Sequence, residues 1–343
     1  MSRFLTLALA ALAAAALALP AAGDSAADGT LSAGGRQLRV GLVLQVTGVS
    51  DPFTGIALAG FERAVKELGV RGRALTPTLR EGYVPSFSLF ARQKYDLVLG
   101  VGFLQADAID ATAVKFPQTR FAILDVSVRQ LKHRPKNVRG IVFATQEGGY
   151  LAGYLAALVE KRRPGKDVIG AVGGFQIPTV DAFIAGYQAG ARRADPGITV
   201  LVGYSQDFVD PAKCKAVALD QIAKGSGVVF QVAGGCGLGA LEAAREEGVW
   251  GIGVDTDQSS LGPHILTSVV KRLDVAAYDT VRQLVRGTFR TGGDTLFTLR
   301  NGGVGLGKIS PRVPPSLLAK VDEIRRKIIA GEIGSIPTTV AQR

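Results

Sequence analysis

Acidic and aromatic side chains recur in the turns that follow apolar runs of this sequence. Asp125 follows the run 121–124, Asp255 follows the run 250–254, and Lys271 lies just beyond the run 265–269. Carboxylates accept hydrogen bonds from hydroxyl groups, and phenyl rings stack on flat heterocycles. The turns that follow the apolar runs are Asp51-Pro52-Phe53-Thr54, Gly102-Phe103, Asp125, Gly173-Gly174, Asp207-Phe208, Gly234-Gly235, Asp255 with Asp257, and the stretch from Ser268 to Lys271. They predict a binding site for a polar ligand with an aromatic portion.

Each of these residues also has a purely structural interpretation. Asp125 and Asp255 stand where an acid caps a following helix as readily as it meets a ligand. Phe53 and Phe208 are of a type that usually belongs to the core, and Lys271, taken alone, is typical of a solvated helix surface. The acidic neighbours of the two Phe residues place them in polar turns, which favours the binding interpretation.

The glycine-rich segment 234–239 follows a predicted strand and opens a predicted helix, as phosphate-binding loops do. It lacks the G-x-G-x-x-G order and the Lys and Ser/Thr of a P-loop, so a tight turn is favoured. No G-x-S-x-G motif is present, and His133 and His264 have no catalytic setting. Glycoside cleavage stays open, because Asp125 and Asp255 are of the right type to form a carboxylate pair. We predict no catalytic residue, no metal and no cofactor.

The elements that must position these turns are parallel βαβ units, since short apolar runs alternate with amphipathic helical segments. Strands are predicted at 38–44, 96–101, 121–125, 138–143, 167–172, 198–203, 227–232, 250–254 and 265–269. Ligands bind outside the carboxyl ends of such strands, which brings the turns above to one edge. A chain of this length divides naturally into two lobes, and we place the seam near 143–149.

Composition restricts the classes of partner. Forty Lys and Arg against 29 Asp and Glu give a net charge of +11. The basic residues are scattered in short clusters such as 161–163 and 325–327, and no basic stripe alternates with aromatic residues. This pattern indicates a solvated basic surface and argues against a nucleic-acid partner. Since 47% of the residues are apolar, the chain has enough material for a large core.

The first 23 residues have the order of a secretory signal peptide. Arg3 precedes a Leu/Ala stretch that ends in small residues at 20–23. We therefore assign 1–23 as signal peptide and 24–36 as a linker, and expect a periplasmic or otherwise extracytoplasmic protein. No later apolar run matches the length of a membrane span, so we expect no membrane insertion after cleavage. No cysteine lies near the cleavage site, which favours a free protein over one with a lipid anchor.

The two cysteines, Cys214 and Cys236, lie in the exported part of the chain. Thiols in such compartments tend to be oxidised, so we predict a disulfide between them. The alternative is a pair of buried free thiols, because Cys is also a common core residue.

Several segments, in this order, resemble the basic membrane protein family of ABC-transporter substrate-binding proteins, also described as purine nucleoside receptor A-like. The segments that carry the resemblance are 95–103, 121–125, 147–153, 230–235, 251–258, 266–272 and 302–306. The resemblance implies an α/β type I periplasmic-binding-protein fold, with two doubly wound parallel-sheet lobes joined by hinge strands. On that basis residues 37–143 and 264–292 form lobe one, and residues 144–263 and 293–343 form lobe two.

The resemblance also implies roles for individual residues. Nucleoside-binding members of the family hold the base between two Phe rings and the ribose with two Asp and one Lys. By motif these are Phe53, Asp125, Asp255 and Lys271, with Phe208 as the second ring. The remaining predicted ligand-binding residues are Asp51, Thr54, Gly102, Phe103 and Gly235.

The first loop departs from the family pattern. The family has Asp-Lys-Ser-Phe-Asn where this chain has Ser50-Asp51-Pro52-Phe53-Thr54. An amide donates and accepts at once towards a purine edge, whereas the shorter hydroxyl of Thr54 cannot reproduce that geometry. The departure therefore puts the base preference in question.

The expected function is capture of a nucleoside, in the first place a purine nucleoside, for an ABC importer. Its partners are then the ligand, an ABC permease and its ATPase, and the protein is expected to be a monomer without enzymatic activity. The alternatives are a binding protein for another polar solute, such as a sugar or a modified nucleoside, a ligand-sensing ectodomain, and a nucleoside hydrolase or glycosidase.

Overall fold

The computed structural model describes residues 36–165 and 167–341. The predicted signal peptide 1–23 and nearly all of the linker 24–36 lie outside the described residues. The strands are β1 (Arg39–Val43), β2 (Arg71–Leu75), β3 (Leu97–Val101), β4 (Phe121–Leu124), β5 (Val138–Phe143), β6 (Val168–Gly173), β7 (Thr199–Tyr204), β8 (Val228–Val232), β9 (Trp250–Asp255), β10 (Ile265–Lys271), β11 (Gly293–Phe297) and β12 (Val304–Leu306). The α-helices are α1 (Pro52–Leu68), α2 (Tyr83–Arg92), α3 (Ala106–Lys115), α4 (Thr145–Glu160), α5 (Pro178–Ala194), α6 (Pro211–Ala223), α7 (Gly237–Glu246), α8 (Leu273–Val285) and α9 (Pro315–Ala330).

The strands form two six-stranded sheets. The first has the order β11-β5-β4-β3-β1-β2, and the second has the order β12-β10-β9-β8-β6-β7. Every pairing is parallel except the antiparallel one between β12 and β10. The predicted pair of α/β lobes with parallel sheets is confirmed.

Helices cover both faces of each sheet. In lobe one α1 packs on α8 and α2 packs on α3, while in lobe two α4 packs on α5 and α6 packs on α7. Strands between two helical layers have no solvent face, so they are apolar along their whole length. All five residues of β3 and all five of β8 are buried. This double cover makes both sheets rigid supports for the turns at their edges.

The chain crosses between the lobes three times, after β5, after β10 and after β11. The crossing segments bond to each other: the Ala144 N–H donates to the Phe297 carbonyl at 2.8 Å and the Arg272 N–H to the Gly303 carbonyl at 2.9 Å. The assignment of 264–292 to lobe one is wrong for β10, which pairs with β9 in the second sheet. The assignment of 293–343 to lobe two is wrong for β11, which pairs with β5. The chain leaves lobe two at the end of β10, so 272–297 belong to lobe one.

Three strands that the sequence did not predict, β2, β11 and β12, all lie at sheet edges. An edge strand needs no continuous apolar run, and charged residues there discourage pairing with other chains. Arg71 and Arg73 of β2 are exposed, which explains why this stretch lacks the signature of a buried strand.

Cys214 and Cys236 form a disulfide, which confirms the predicted pairing. It joins α6 to the residue that precedes α7, and both cysteines are fully buried. Among the described residues, no helix combines the length and the apolar character that crossing a membrane requires.

Candidate ligand-binding site

A cavity lies between the lobes, at the carboxyl ends of the strands of both sheets. Eight of the ten predicted binding residues line it: Asp51, Phe53, Gly102, Phe103, Asp125, Phe208, Asp255 and Lys271. Five of them follow or end strands of the first or second sheet, as the rule for open parallel sheets requires. The residues come from both lobes, so a ligand in the cavity contacts two bodies that are joined by three crossing segments.

Asp125 and Asp255 occupy corresponding places in the two sheets. Asp125 directly follows β4 and Asp255 is the last residue of β9, each on the third strand from one edge of its sheet. Both have left-handed backbone conformations, with φ values of 68° and 64°. Asp is one of the few residue types that adopt this conformation with little strain. The same backbone turn therefore places a carboxylate at the end of a central strand in each lobe.

Lys271 joins these two acids. Its Nζ atom lies 2.8 Å from Asp125 Oδ2, to which it donates a hydrogen bond, and 3.4 Å from Asp255 Oδ1. All three side chains are buried, and Lys271 is only 2% exposed. Because Lys271 ends β10 in lobe two and Asp125 follows β4 in lobe one, the shorter ion pair crosses between the lobes.

Burial and charge act in opposite directions on this cluster. Burial disfavours the ammonium of Lys271, but the two carboxylates together outweigh that effect and raise its pKa. Burial raises the pKa of Asp125, and the ammonium of Lys271 offsets only part of that rise. Asp255 Oδ1 is buried and has no hydrogen-bond partner among the described residues. A buried acceptor without a donor is unfavourable, so this atom is suited to a hydroxyl group on a ligand.

Asp51 supplies a third carboxylate. It caps the N-terminus of α1, and its Oδ2 atom accepts hydrogen bonds from the hydroxyls of Thr47 and Thr54, both at 3.0 Å. Burial raises the pKa of Asp51, against the effect of these two hydrogen bonds. Thr54 is fully buried and does not line the cavity. The hydroxyl that replaces the amide of the family pattern thus lies behind Asp51, where it orients the carboxylate.

Four Phe side chains line the cavity, and the two predicted to hold a base, Phe53 and Phe208, come from opposite lobes. Phe53 lies in the first turn of α1, with its ring centroid 4.8 Å from Lys271 Nζ. Phe208 lies between β7 and α6, and its ring packs over Gly174, where a Cβ atom would come within 2.2 Å of the ring. The carbonyl of Phe208 accepts a 3.0 Å hydrogen bond from the N–H of Cys236. The disulfide is therefore attached to the loop that carries the second ring.

Besides Thr54, one predicted binding residue, Gly235, lies outside the cavity lining, and so does Asp207 from the candidate turn 207–208. Gly235 does not line the cavity, whereas its neighbour Gly234, with a φ of 55°, does. Asp207, in the same turn as Phe208, is absent from the lining and accepts hydrogen bonds from Lys213 and from the N–H groups of Val209 and Asp210. The Lys213 ammonium and these N–H groups lower the pKa of Asp207 to about 2. Its role is to hold the turn.

The other lining residues are not among the ten predicted binding residues, although Gly234 was named as part of the candidate turn 234–235. They are Gln45, Thr47, Leu104, Ile177, Thr179, Val180, Phe183, Val232, Gly234 and Val254. Four of them surround the start of α5, which follows β6 and the pair Gly173-Gly174. The rule about strand ends covered those glycines, but the lining continues one helical turn further. Phe183 matters most in this group, because its ring centroid lies 5.1 Å from Lys271 Nζ.

Comparison with known proteins identifies the family. The family model for PnrA-like ABC transporter substrate-binding proteins matches residues 39–339. A Lactococcus lactis protein named ABC transporter nucleoside-binding protein BmpA is 33% identical, over 82% of this chain and 84% of its own length. A Pyrococcus horikoshii protein named as an uncharacterized lipoprotein is 30% identical, over 90% of this chain and 82% of its own length. This second relative is named a lipoprotein, whereas the sequence analysis predicts a protein without a lipid anchor for this chain.

The solved structures show the same architecture. The crystal structure of an ABC transporter solute-binding protein from Aeropyrum pernix superposes with a TM-score of 0.76 and 26% sequence identity, over 88% of this chain and 94% of that one. The type I periplasmic-binding-protein fold expected from the sequence is thereby confirmed. With the family match over nearly all of the described residues, the chain belongs to the PnrA-like family of ABC transporter substrate-binding proteins.

Proposed function

We propose that this protein captures a nucleoside outside the cytoplasm and delivers it to an ABC importer. The observation that carries the proposal is the buried cluster of Asp125, Lys271 and Asp255, which draws on both lobes and has the ring of Phe53 beside it. A ribose presents vicinal hydroxyl groups, and a purine presents a flat ring. The cluster and the aromatic side chains match these two parts of one ligand.

The ribose fits the polar end of the cavity by its chemistry. Carboxylates accept hydrogen bonds from hydroxyl groups, and an ammonium donates to oxygen atoms that have a free lone pair. Asp255 Oδ1 has no donor of its own, which leaves it available to a hydroxyl group. Hydrogen bonds to charged groups contribute about 1.5–3 kcal/mol each. A site built in this way discriminates strongly against a ligand without hydroxyl groups, because its buried polar atoms are then left unpaired.

The base fits the aromatic end. Stacking of a base on an aromatic side chain contributes roughly 1–3 kcal/mol. Phe53 belongs to lobe one and Phe208 to lobe two, so a base that contacts both favours the closed arrangement of the lobes. A ligand shifts such an equilibrium by its difference in affinity for the two states. In this proposal a permease, with its ATPase, recognises the closed form.

The proposal includes no covalent chemistry. The name of the Lactococcus relative refers to nucleoside binding, and the family is one of substrate-binding proteins, which supports a capture function over a hydrolase. The ammonium of Lys271 donates a hydrogen bond to Asp125 and lies within ion-pair distance of Asp255. This arrangement is suited to holding hydroxyl groups.

The experiment is a titration of the purified protein after unfolding and refolding to remove any ligand that is carried along. Guanosine, inosine, adenosine, the free bases and ribose are compared by calorimetry. We expect saturable binding of nucleosides that is tighter than binding of the free base or of ribose alone. Binding of ribose or other sugars without nucleoside binding would assign the site to a sugar. Release of hypoxanthine from inosine would make the protein a hydrolase.

A further inference from the structure

The two lobes differ in charge. Residues 36–143 and 272–297, which form lobe one, contain 20 Lys and Arg against 11 Asp and Glu, a net charge of +9. Residues 144–271 and 298–341, which form lobe two, contain 18 against 16, a net charge of +2. The basic excess of the sequence, which looked dispersed along the chain, is therefore concentrated in one half of the molecule.

Much of this charge lies at one end of lobe one. Five cationic side chains line a surface groove next to the starts of β3 and β4: Arg36, Arg92, Lys94, Lys115 and Arg120. A second groove contains Arg120 again, together with Lys136. All six are exposed. We call these six residues the basic pole. It lies at the amino ends of the strands, and the candidate site lies at their carboxyl ends.

The cations of the basic pole have few acidic partners. Asp96 is the one acid that lines either groove, and it pairs with Arg36. Within residues 36–165 and 167–341, no carboxylate lies at ion-pair distance from Arg92, Lys94, Lys115 or Arg120. The corresponding end of lobe two holds four ion pairs, together with the exposed cations Arg162, Arg192 and Arg193, which have no ion pair among the described residues. These pairs are Lys161 with Asp195, Arg163 with Glu160, Lys224 with Asp220, and Arg245 with Glu242.

The chain enters the fold at the basic pole. Arg36 is itself a member of the pole and lies three residues before β1. The apolar run of the predicted signal peptide ends near residue 19, and the predicted linker covers 24–36. The seventeen residues 20–36 span at most about 60 Å when extended, since each contributes roughly 3.3–3.6 Å. If the predicted signal peptide stays attached and inserted, the pole lies within that distance of a lipid surface.

We propose that the basic pole binds the surface of a membrane that contains anionic phospholipids. Unpaired Lys and Arg side chains on one exposed face are attracted to a negative surface, and the attraction decays over a Debye length, about 8–10 Å at physiological salt. The pole faces away from the cavity, so the protein keeps its binding site open while it lies on the membrane. Contact of this type is reversible and weakens with salt, which lets the protein leave the surface.

The test is sedimentation with vesicles. The protein without its predicted signal peptide, residues 24–343, retains every described element and is mixed with vesicles of phosphatidylcholine, either alone or with about one third phosphatidylglycerol. We expect binding to the anionic vesicles at 50 mM salt, a steep loss of binding at 300 mM salt, and none to the neutral vesicles. Equal binding to both kinds of vesicle, or no binding to anionic vesicles at 50 mM salt, would overturn the proposal.

A matched pair of variants separates the pole from net charge. The triple variant R92E/K94E/R120E reverses three charges in the pole, and R162E/R192E/R193E reverses three exposed charges at the corresponding end of lobe two. Both change the net charge by the same amount, and thermal unfolding checks that both are folded. We expect at least a tenfold loss of vesicle binding for the first variant and less than a threefold loss for the second. Equal losses would mean that binding follows net charge. Binding to duplex DNA that is tighter than binding to the anionic vesicles at the same salt, and that only the pole variant loses, would assign the pole to another polyanion.

Discussion

The two walls of the cavity have equivalent strands but different side chains. In each sheet an Asp with a left-handed backbone stands at the carboxyl end of the third strand from one edge: Asp125 directly follows β4, and Asp255 is the last residue of β9. The neighbouring strands, β5 and β10, end in Phe143 and Lys271, and the chain leaves its lobe after each of them. One ammonium therefore serves two acids, although the fold offers two equivalent places for a cation.

The two acids are not equally occupied by that ammonium. Asp125 accepts a hydrogen bond from Lys271 at 2.8 Å, across the lobes, while Asp255 Oδ1 lies 3.4 Å away and accepts no hydrogen bond from any described residue. The two carboxylates therefore have different roles. Asp125 fixes the cation that joins the lobes, and Asp255 keeps an acceptor for the ligand.

Replacing Lys271, the cation that the two acids share, has the largest expected effect on stability and binding. Lys271→Met leaves buried carboxylates without a positive partner, and removing one member of a buried ion pair costs about 3–5 kcal/mol. We expect the thermal midpoint to fall by roughly 10 °C, since each kcal/mol shifts the midpoint of a domain of this size by about 2–4 °C. Calorimetry should show at least a hundredfold loss of nucleoside affinity.

The matched control is Lys215→Met, which breaks the pair between Lys215 and Glu246 on the surface. Surface pairs contribute about 0–1 kcal/mol, so the midpoint should move by no more than a few degrees and affinity should not change. Equal effects of the two substitutions would show that the buried cluster does not join the lobes.

Replacing each acid by its amide tests the roles of Asp255 and Asp125 separately. Asp255→Asn removes the charge of the free acceptor but leaves the pair of Lys271 with Asp125 intact. We expect a tenfold to hundredfold loss of nucleoside affinity, from about 1.5–3 kcal/mol for a hydrogen bond to a charged group, with little change in the thermal midpoint. Asp125→Asn should lower both affinity and midpoint, because it weakens the pair between the lobes.

Free bases supply the internal control for both amide variants. A base without ribose should bind the Asp255→Asn variant almost as well as the unchanged protein. Losses of equal size for the base and its nucleoside would remove Asp255 from contact with the ribose.

Stacking is tested with a smaller change. Phe53→Leu keeps an apolar side chain of similar size but removes the flat ring, so we expect about a fivefold to tenfold loss, at the lower end of the range for stacked bases. The loss should be the same for a nucleoside and its free base, in contrast to Asp255→Asn. Calorimetry of Phe90→Leu, which changes a ring buried in the core of lobe one outside the cavity, gives the reference. A loss confined to nucleosides would place Phe53 at the ribose.

The sequence predicts the central part of this molecule better than its margins. Central strands are buried on both faces and must be apolar, which makes them visible as runs of sequence, and the rule about strand ends then locates Asp125 and Asp255. The edge strands escape notice because nothing requires them to be apolar; β2 begins with Arg71. Lys271 was indicated by the family resemblance, since its charge alone favoured a solvated position.

The two predicted binding residues that do not line the cavity, Thr54 and Gly235, are each one position away from a residue that does. Thr54 follows Phe53 on α1, and one step along a helix turns a side chain by about 100°, which directs Thr54 inward to Asp51. In the turn before α7, Gly234 lines the cavity and Gly235, one position further, does not. A sequence gives the order of residues in a turn, but the rotation of that turn is set by packing against the rest of the fold.

The smallest expected effect concerns pH and the third acid. Burial raises the pKa of Asp51, so its carboxylate takes up a proton at a higher pH than an ordinary Asp does. If Asp51 accepts a hydrogen bond from the ligand, protonation removes that acceptor, and affinity falls as the pH is lowered through this raised pKa. The effect of Asp51 on stability has the opposite sign. A carboxyl with a raised pKa binds its proton more tightly in the folded state, so the same protonation favours folding.

Titrations of nucleoside binding between pH 7 and pH 4.5 measure the effect on affinity. The unchanged protein should lose affinity by a factor below ten over this range, while Asp51→Asn, which retains a good helix cap, should give a flatter profile. Asp207→Asn is the matched control, because its pKa is lowered to about 2 and it lies outside the cavity, so its profile should follow that of the unchanged protein. A profile that stays steep in Asp51→Asn would assign the pH dependence to Asp125, because burial raises the pKa of that carboxyl as well.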